Sequence, residues 1–250
     1  KTIKAGESYF VDCYNHEFSR DIGPCADDFT DVYYYYMTDY VRRYKGVAAV
    51  EPVNEVHKIA IDGKFDDWET LGTRYKDYTG DTRARNHWGF GYKNLSLTND
   101  TGRNDICYAK VATDCKSLFF YVETADPITP RTGRNWMRLF ISVKGSTAPA
   151  WEGFQWVVNN KVTDDTRTTL QRSKGGWDWE EAPTIDYAVS GNRMEIAVPL
   201  RELGIADVRN FTVDFKWIDN AVTDGDIREC MRDGDSAPGD RFRYRYIFKY

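Results

Sequence analysis

The sequence lacks any run of about 18 apolar residues, so no helix in it is expected to span a membrane. It also lacks an excess of positive charge. A formal net charge of -5 leaves no broad basic face for phosphates and argues against a nucleic-acid partner. Histidine is scarce, at only His16, His57 and His87, and there is no HExxH, no GxSxG and no P-loop. Repeats of fixed period and low-complexity tracts are missing as well. No signal peptide is visible, yet the chain begins at Lys1 rather than methionine, which reads as a processed or excised part of a longer protein. The five cysteines have no zinc-site spacing, and an odd number cannot all pair internally. Cys107 with Cys115, and Cys13 with Cys25, are the conceivable bridges. Buried free thiols are the favoured reading.

What is abundant is aromatic side chains: 15% of the chain, including 17 Tyr and 8 Trp. A core absorbs many such rings, but Trp and Tyr also suit surfaces that stack on flat, half-apolar ligands, and sugars are ligands of that kind. With 250 residues a substantial core is available, and one domain of roughly 200 residues with an appendage is expected.

The strongest pattern is at residues 102–124, GRNDICYAKVATDCKSLFFYVET. Ile106, Tyr108, Lys110 and Ala112 alternate with their neighbours, Thr113 to Lys116 supply turn residues, and Leu118 to Val122 resumes as an aromatic-rich run. That is a β-hairpin whose second strand is buried on both faces. Similar strands follow at 136–143, 153–161, 182–200, 210–220 and 241–250, with a short helix expected in LRELGI. In the last strand, RFRYRYIFKY, rings alternate with cations, and a half-buried strand with rings in and charges out explains this better than a base-stacking surface. The fold class is therefore all-β: an antiparallel β-sandwich of jelly-roll or immunoglobulin type, over residues 57–250.

Residues 1–56 differ and form a short strand-helix appendage or the tail of a preceding domain. Ser8 to Tyr14 reads as a strand. Asp27, Asp28 or Thr30 caps a helix over 31–45 whose Val32, Tyr36, Tyr40 and Tyr44 form one stripe, and Gly46 ends it before a linker.

IDGKFDDW, the pair AKVATDCKSLFFYVET, WMRLFISV, MEIAVPLRELGI and FKWIDN, in that order, resemble the carbohydrate-binding module family 9 fold and the related DOMON-like domains. VDCYNHEFSRDI and YYYYMTDYVRRYKGV resemble the segment joining a glycoside-hydrolase-like region to such a module in secreted bacterial polysaccharide-degrading proteins. The resemblance implies a non-catalytic module that binds polysaccharide or oligosaccharide beside a catalytic domain of the same protein, outside the cytoplasm. It places polar sugar contacts at Arg138 and Asn159, with Trp136 just ahead, and it implies structural Ca²⁺. A structural companion to a hydrolase, with no ligand of its own, or part of the hydrolase itself, is the alternative.

Further positions come from the residues themselves. Trp177 and Trp179 in GGWDWEE stand at i and i+2 and would share one side of an extended chain, either as a platform or folded back as an anchor. Trp88 in NHWGFGY and Trp151 in PAWEG offer the same choice. Oxygen ligands for Ca²⁺ are available at Asn104 and Asp105 and in the glycine-rich loop with Asp224, Asp226, Asp233, Asp235 and Asp240, where ordinary turns are the competing reading. His16 and Glu17, near Asp12 and Asp21, are the only remnant of a carboxylate site, since glycosidases need two carboxyl groups about 5 to 10 Å apart. No catalysis by this chain alone is expected.

Overall fold

The computed structural model describes residues 40–41, 44, 50–82, 85–88, 96–181, 183–221, 223–225, 227, 234–239 and 242–250. The strands are β1 (Tyr75–Lys76), β2 (Arg85–Trp88), β3 (Ser96–Asn99), β4 (Ile106–Thr113), β5 (Ser117–Thr124), β6 (Arg138–Val143), β7 (Trp156–Val162), β8 (Arg167–Gly175), β9 (Asp178–Glu180), β10 (Thr184–Ser190), β11 (Arg193–Pro199), β12 (Asn210–Asp219), β13 (Asp235–Ala237) and β14 (Tyr244–Lys249). The antiparallel all-β class expected from the sequence is what the chain adopts. Among the described residues, β2 and β3 pair only with each other. The rest follow one path, β1-β4-β5-β11-β10-β8-β7-β6-β12-β13, with β14 beside β12 and β9 beside β8.

That path curls until it nearly closes. β10 pairs with β8 through Thr184 to Asp186 and with β11 through Tyr187 to Ser190, so one strand carries the sheet around its bend. At the far side the two ends meet: the Ile106 amide donates to Asp235 Oδ2 at 2.6 Å, and the Tyr244 hydroxyl donates to the Lys76 carbonyl at 2.8 Å.

The alternation of each strand decides which side chains fill the interior. Leu139 and Ile141 of β6, Leu118, Phe120 and Val122 of β5, and Phe215 of β12 all point inward into the main core. Parts of the outer face are covered too, which is why β5 is buried on either side as its run of apolar residues implied. Over β5, residues Ile59, Phe65 and Trp68 lie on Phe119 and Tyr121. Trp68 belongs to the 3-10 turn Asp66–Trp68, and burying one such large side chain contributes about 2 to 3 kcal/mol. Over β6 and β7, Trp151 and Phe154 lie on Phe140 and Val157.

Several local expectations fare differently. LRELGI is not a helix: the amides of Glu202, Gly204 and Ile205 bond to the carbonyls of Pro199, Arg201 and Leu200, giving successive turns that end at Gly204 with φ +67. The proposed Ser8 to Tyr14 strand and most of the 31–45 helix lie outside the described residues. At Tyr40, Val41 and Tyr44 the backbone is helical but the side chains are exposed, so a helical appendage packed on the sheet is not supported. Val53, within the expected linker, is bridged in parallel to Phe248. Cys107 and Cys115 are free, half-buried thiols, while Cys13, Cys25 and Cys230 lie outside the described residues.

Candidate functional site

Because Leu139 and Ile141 face the interior, Arg138 and Phe140 on the same strand face the other way. The two glycines Gly175 and Gly176, at φ +110 and +57, turn β8 into β9 and bring Trp177 and Trp179 back over Phe140, with ring centroids 6.0 and 6.2 Å away. Trp177 and Trp179 meet at 5.6 Å with an interplanar angle of 89°, so both share a side as an extended chain requires but do not form one flat plane. Trp151 stands edge-on to Trp177 at 4.5 Å. Its indole Nε1 donates to the Gly225 carbonyl at 3.1 Å, pinning the loop between β12 and β13 onto the rings.

Arg138 completes this face. Its guanidinium carbon lies 5.3 Å from the Trp177 ring centroid, and Nη1 donates to Asp224 Oδ1 at 2.6 Å. The Arg138 side chain is 6% exposed and that of Asp224 46%, so the ion pair is sealed at one end and wet at the other. Arg138 Nε is buried with no acceptor among the described residues. Arg138, Trp151, Trp177, Thr223 and Asp224 line a shallow depression here. It offers a half-exposed indole, a fixed cation and a carboxylate, the set that can stack on a ring and bond its hydroxyls.

The other residues singled out in the sequence lie elsewhere. Trp136 is 3% exposed, donates from Nε1 to the Thr129 carbonyl at 2.7 Å and meets Tyr187 edge-on at 6.0 Å, so it takes the place of a strand-end core residue. Asn159 is equally buried, has φ +62 and braces the Met137 carbonyl through Nδ2 at 2.8 Å. Trp88 is on β2, and its side chain lies outside the described residues, as do Asp226, Asp233, Asp240, His16 and Glu17. Asn104 ties two loops by exchanging hydrogen bonds with Thr129, at 2.9 Å each way.

A second cluster was only partly visible beforehand. Carboxylate oxygens of Asp77, Asp81 and Asp235 lie within 4.8 Å of one another where the two ends of the sheet meet. Asp105 stands beside them and accepts from the Gly80 amide at 2.7 Å. Burial, with Asp81 close by, pushes the Asp77 carboxyl up to about 7 against the partial relief of Lys216. Burial, with Asp81 and Asp77 close by, pushes Asp235 well above its ordinary value. Asp77 Oδ2 is buried and has no hydrogen-bond partner among the described residues. Oxygen donors so grouped suit a hard divalent cation. Asp235 was among the sequence candidates; Asp77 and Asp81 were missed, although acids on either side of a Thr-Gly turn were the available signal.

No family model matches the chain, and neither a curated protein nor a solved structure matches it.

Proposed function

We propose that the Arg138 and Trp177 face is a carbohydrate-binding surface, and that the chain is a non-catalytic, sandwich-like module of a secreted bacterial polysaccharide-degrading protein. The observation that carries this is the meeting of Arg138, Asp224 and Trp177, from three separate parts of the sequence, at one depression on the outer face of the sheet. Trp177 stacks on the less polar face of a sugar ring, Asp224 accepts from hydroxyls, and Arg138 holds Asp224 in place. The resemblance to family 9 modules points the same way at Arg138. A catalytic domain of the same protein is the proposed neighbour.

A bound divalent cation, with Ca²⁺ the expected one, belongs to the same reading. Asp77, Asp81 and Asp235 fit it through their grouping and the unpartnered Asp77 Oδ2. Its role is structural: it relieves the repulsion between carboxylates that join the two ends of the sheet.

A companion domain without a ligand is the second reading, favoured by the perpendicular, half-buried packing of Trp177 and Trp179 on Phe140. Affinity electrophoresis through gels cast with soluble plant and algal polysaccharides separates the two. Retardation that Trp177→Ala removes supports the binding surface; unretarded migration in every gel leaves only the companion role.

A further inference from the structure

A larger hollow lies away from the tryptophans, at the open end of the curled sheet. It is a cleft of about 600 Å³ between the turn after β6 and the turns at 201–207, a size usual for a small-molecule site. We propose that it binds a carboxylate-bearing sugar unit, a uronate, independently of the Trp177 surface.

The cleft is where the interior stops being filled. Trp156 and Phe211 close its inner end, with Leu203 and Ile205 along one side. Opposite Trp156 in the β7 and β8 register is Arg172. Directly paired residues share a face, so Arg172 occupies the inward-facing series of β8 that Leu170 fills deeper in the core. An arginine in that series is not explained by packing. Half of its side chain is exposed, and its Nε stands 3.9 Å from Glu180, beyond hydrogen-bond reach. Lys144, on the same rim, has no ion-pair partner among the described residues. Two cations thus border the hollow, Arg172 only loosely engaged by its long ion pair with Glu180, and Arg in particular matches a carboxylate with two parallel hydrogen bonds.

The rest of the rim fits a polyhydroxylated body rather than a purely apolar one. Ser146, Asn210 and Thr212 offer groups that both donate and accept, while Glu202 and Asp207 offer acceptors for hydroxyls. Glu202 is already balanced by Arg201 at 3.0 Å, and Asp207 offsets one of the two remaining cations, which leaves a single net positive charge on the rim, enough for one carboxylate. A neutral sugar would leave that excess unused, and a simple anion would leave the hydroxyl-matching rim unused.

The test is isothermal titration of the protein with digalacturonate and with a glucuronic-acid-bearing disaccharide, against galactobiose as the neutral counterpart. At least one acidic disaccharide should bind at least tenfold more tightly than galactobiose. Arg172→Gln and Lys144→Gln, each confirmed folded by circular dichroism, should each lower that affinity fivefold or more, and added salt should weaken it. Trp177→Ala should leave it unchanged, which keeps this site distinguishable from the first. Failure of both acidic probes to bind, equal affinity for galactobiose, retention of affinity in both charge variants, or its loss in Trp177→Ala would each overturn the proposal.

Discussion

Trp68 Nε1 donates a 2.8 Å hydrogen bond to Glu195 Oε2, and the two residues are 1% and 0% exposed. The same carboxylate accepts from the amides of Asp62 and Gly63 at 2.9 and 2.8 Å. One buried group on β11 therefore fastens the segment Ile59 to Trp68 across the outer face of the sheet. Burial raises the Glu195 carboxyl, and the three donors offset only part of that rise.

Glu195→Ala should be among the most destabilising single changes in the chain. It leaves the buried Trp68 indole N–H without an acceptor and removes two further bonds from the solvent-accessible Asp62 and Gly63 amides. The cost is about 3 kcal/mol, since a hydrogen bond to a charged group contributes about 1.5 to 3 kcal/mol and the amides regain water. Trp68→Phe, which strands only one acceptor position, should cost about 1 to 3 kcal/mol. Urea denaturation followed by circular dichroism measures both; a Glu195→Ala midpoint equal to wild type would contradict this account.

Gly225→Ala tests how the aromatic face is held. At φ +90 an L side chain is strained, and its Cβ would come within 3.1 Å of Trp177 Cβ. A stability loss of about 1 to 3 kcal/mol is expected from the backbone alone. Acrylamide should quench the tryptophan fluorescence more readily in the variant, because Trp177 is displaced outward. Unchanged quenching would mean that the loop does not set the ring.

The acidic cluster fixes a pH dependence. Folded Asp77 keeps its proton up to about 7, whereas the unfolded chain releases it near the ordinary aspartate value. The folded state then binds more protons across that window, so stability falls as pH rises through it and levels off above about 7. Asp235, Glu195 and Asp219, all raised by burial, act in the same direction. In chelator the melting temperature should decline from pH 5 to pH 8, and added Ca²⁺ should restore it more at pH 8 than at pH 5. Asp235→Asn should blunt the response to the cation. A melting temperature at pH 8 that ignores every divalent cation would remove the cluster from the functional account.

The fold was legible where one side of a strand must be apolar. β4 and β5 declared themselves by alternation and by a Thr-Asp-Cys-Lys turn, and β14 by rings alternating with cations: Tyr246 and Phe248 are buried while Arg245 reaches Asp214 at 2.7 Å. β8 was missed because RTTLQRSKG is mostly polar, its outward Gln171 buried and accepting from Asn160 at 2.6 Å and its inward Arg172 at the mouth of the cleft. The choice among tryptophans was not legible at all. Trp136 and Trp177 each stand beside a strand with polar neighbours, and only the curl of the sheet puts one in the core and the other over Arg138. Asp77 and Asp235 meet for the same reason, across the closing edge of the sheet, which no local pattern encodes.

The most direct measurement is a glycan-array screen of the protein beside Trp177→Ala, Arg138→Gln and the buried control Trp136→Phe, each confirmed folded. The account predicts binding to at least one polysaccharide that is lost in Trp177→Ala, weakened tenfold or more in Arg138→Gln and retained in Trp136→Phe. Binding that survives Trp177→Ala and Arg138→Gln, or no binding to any glycan, would contradict it.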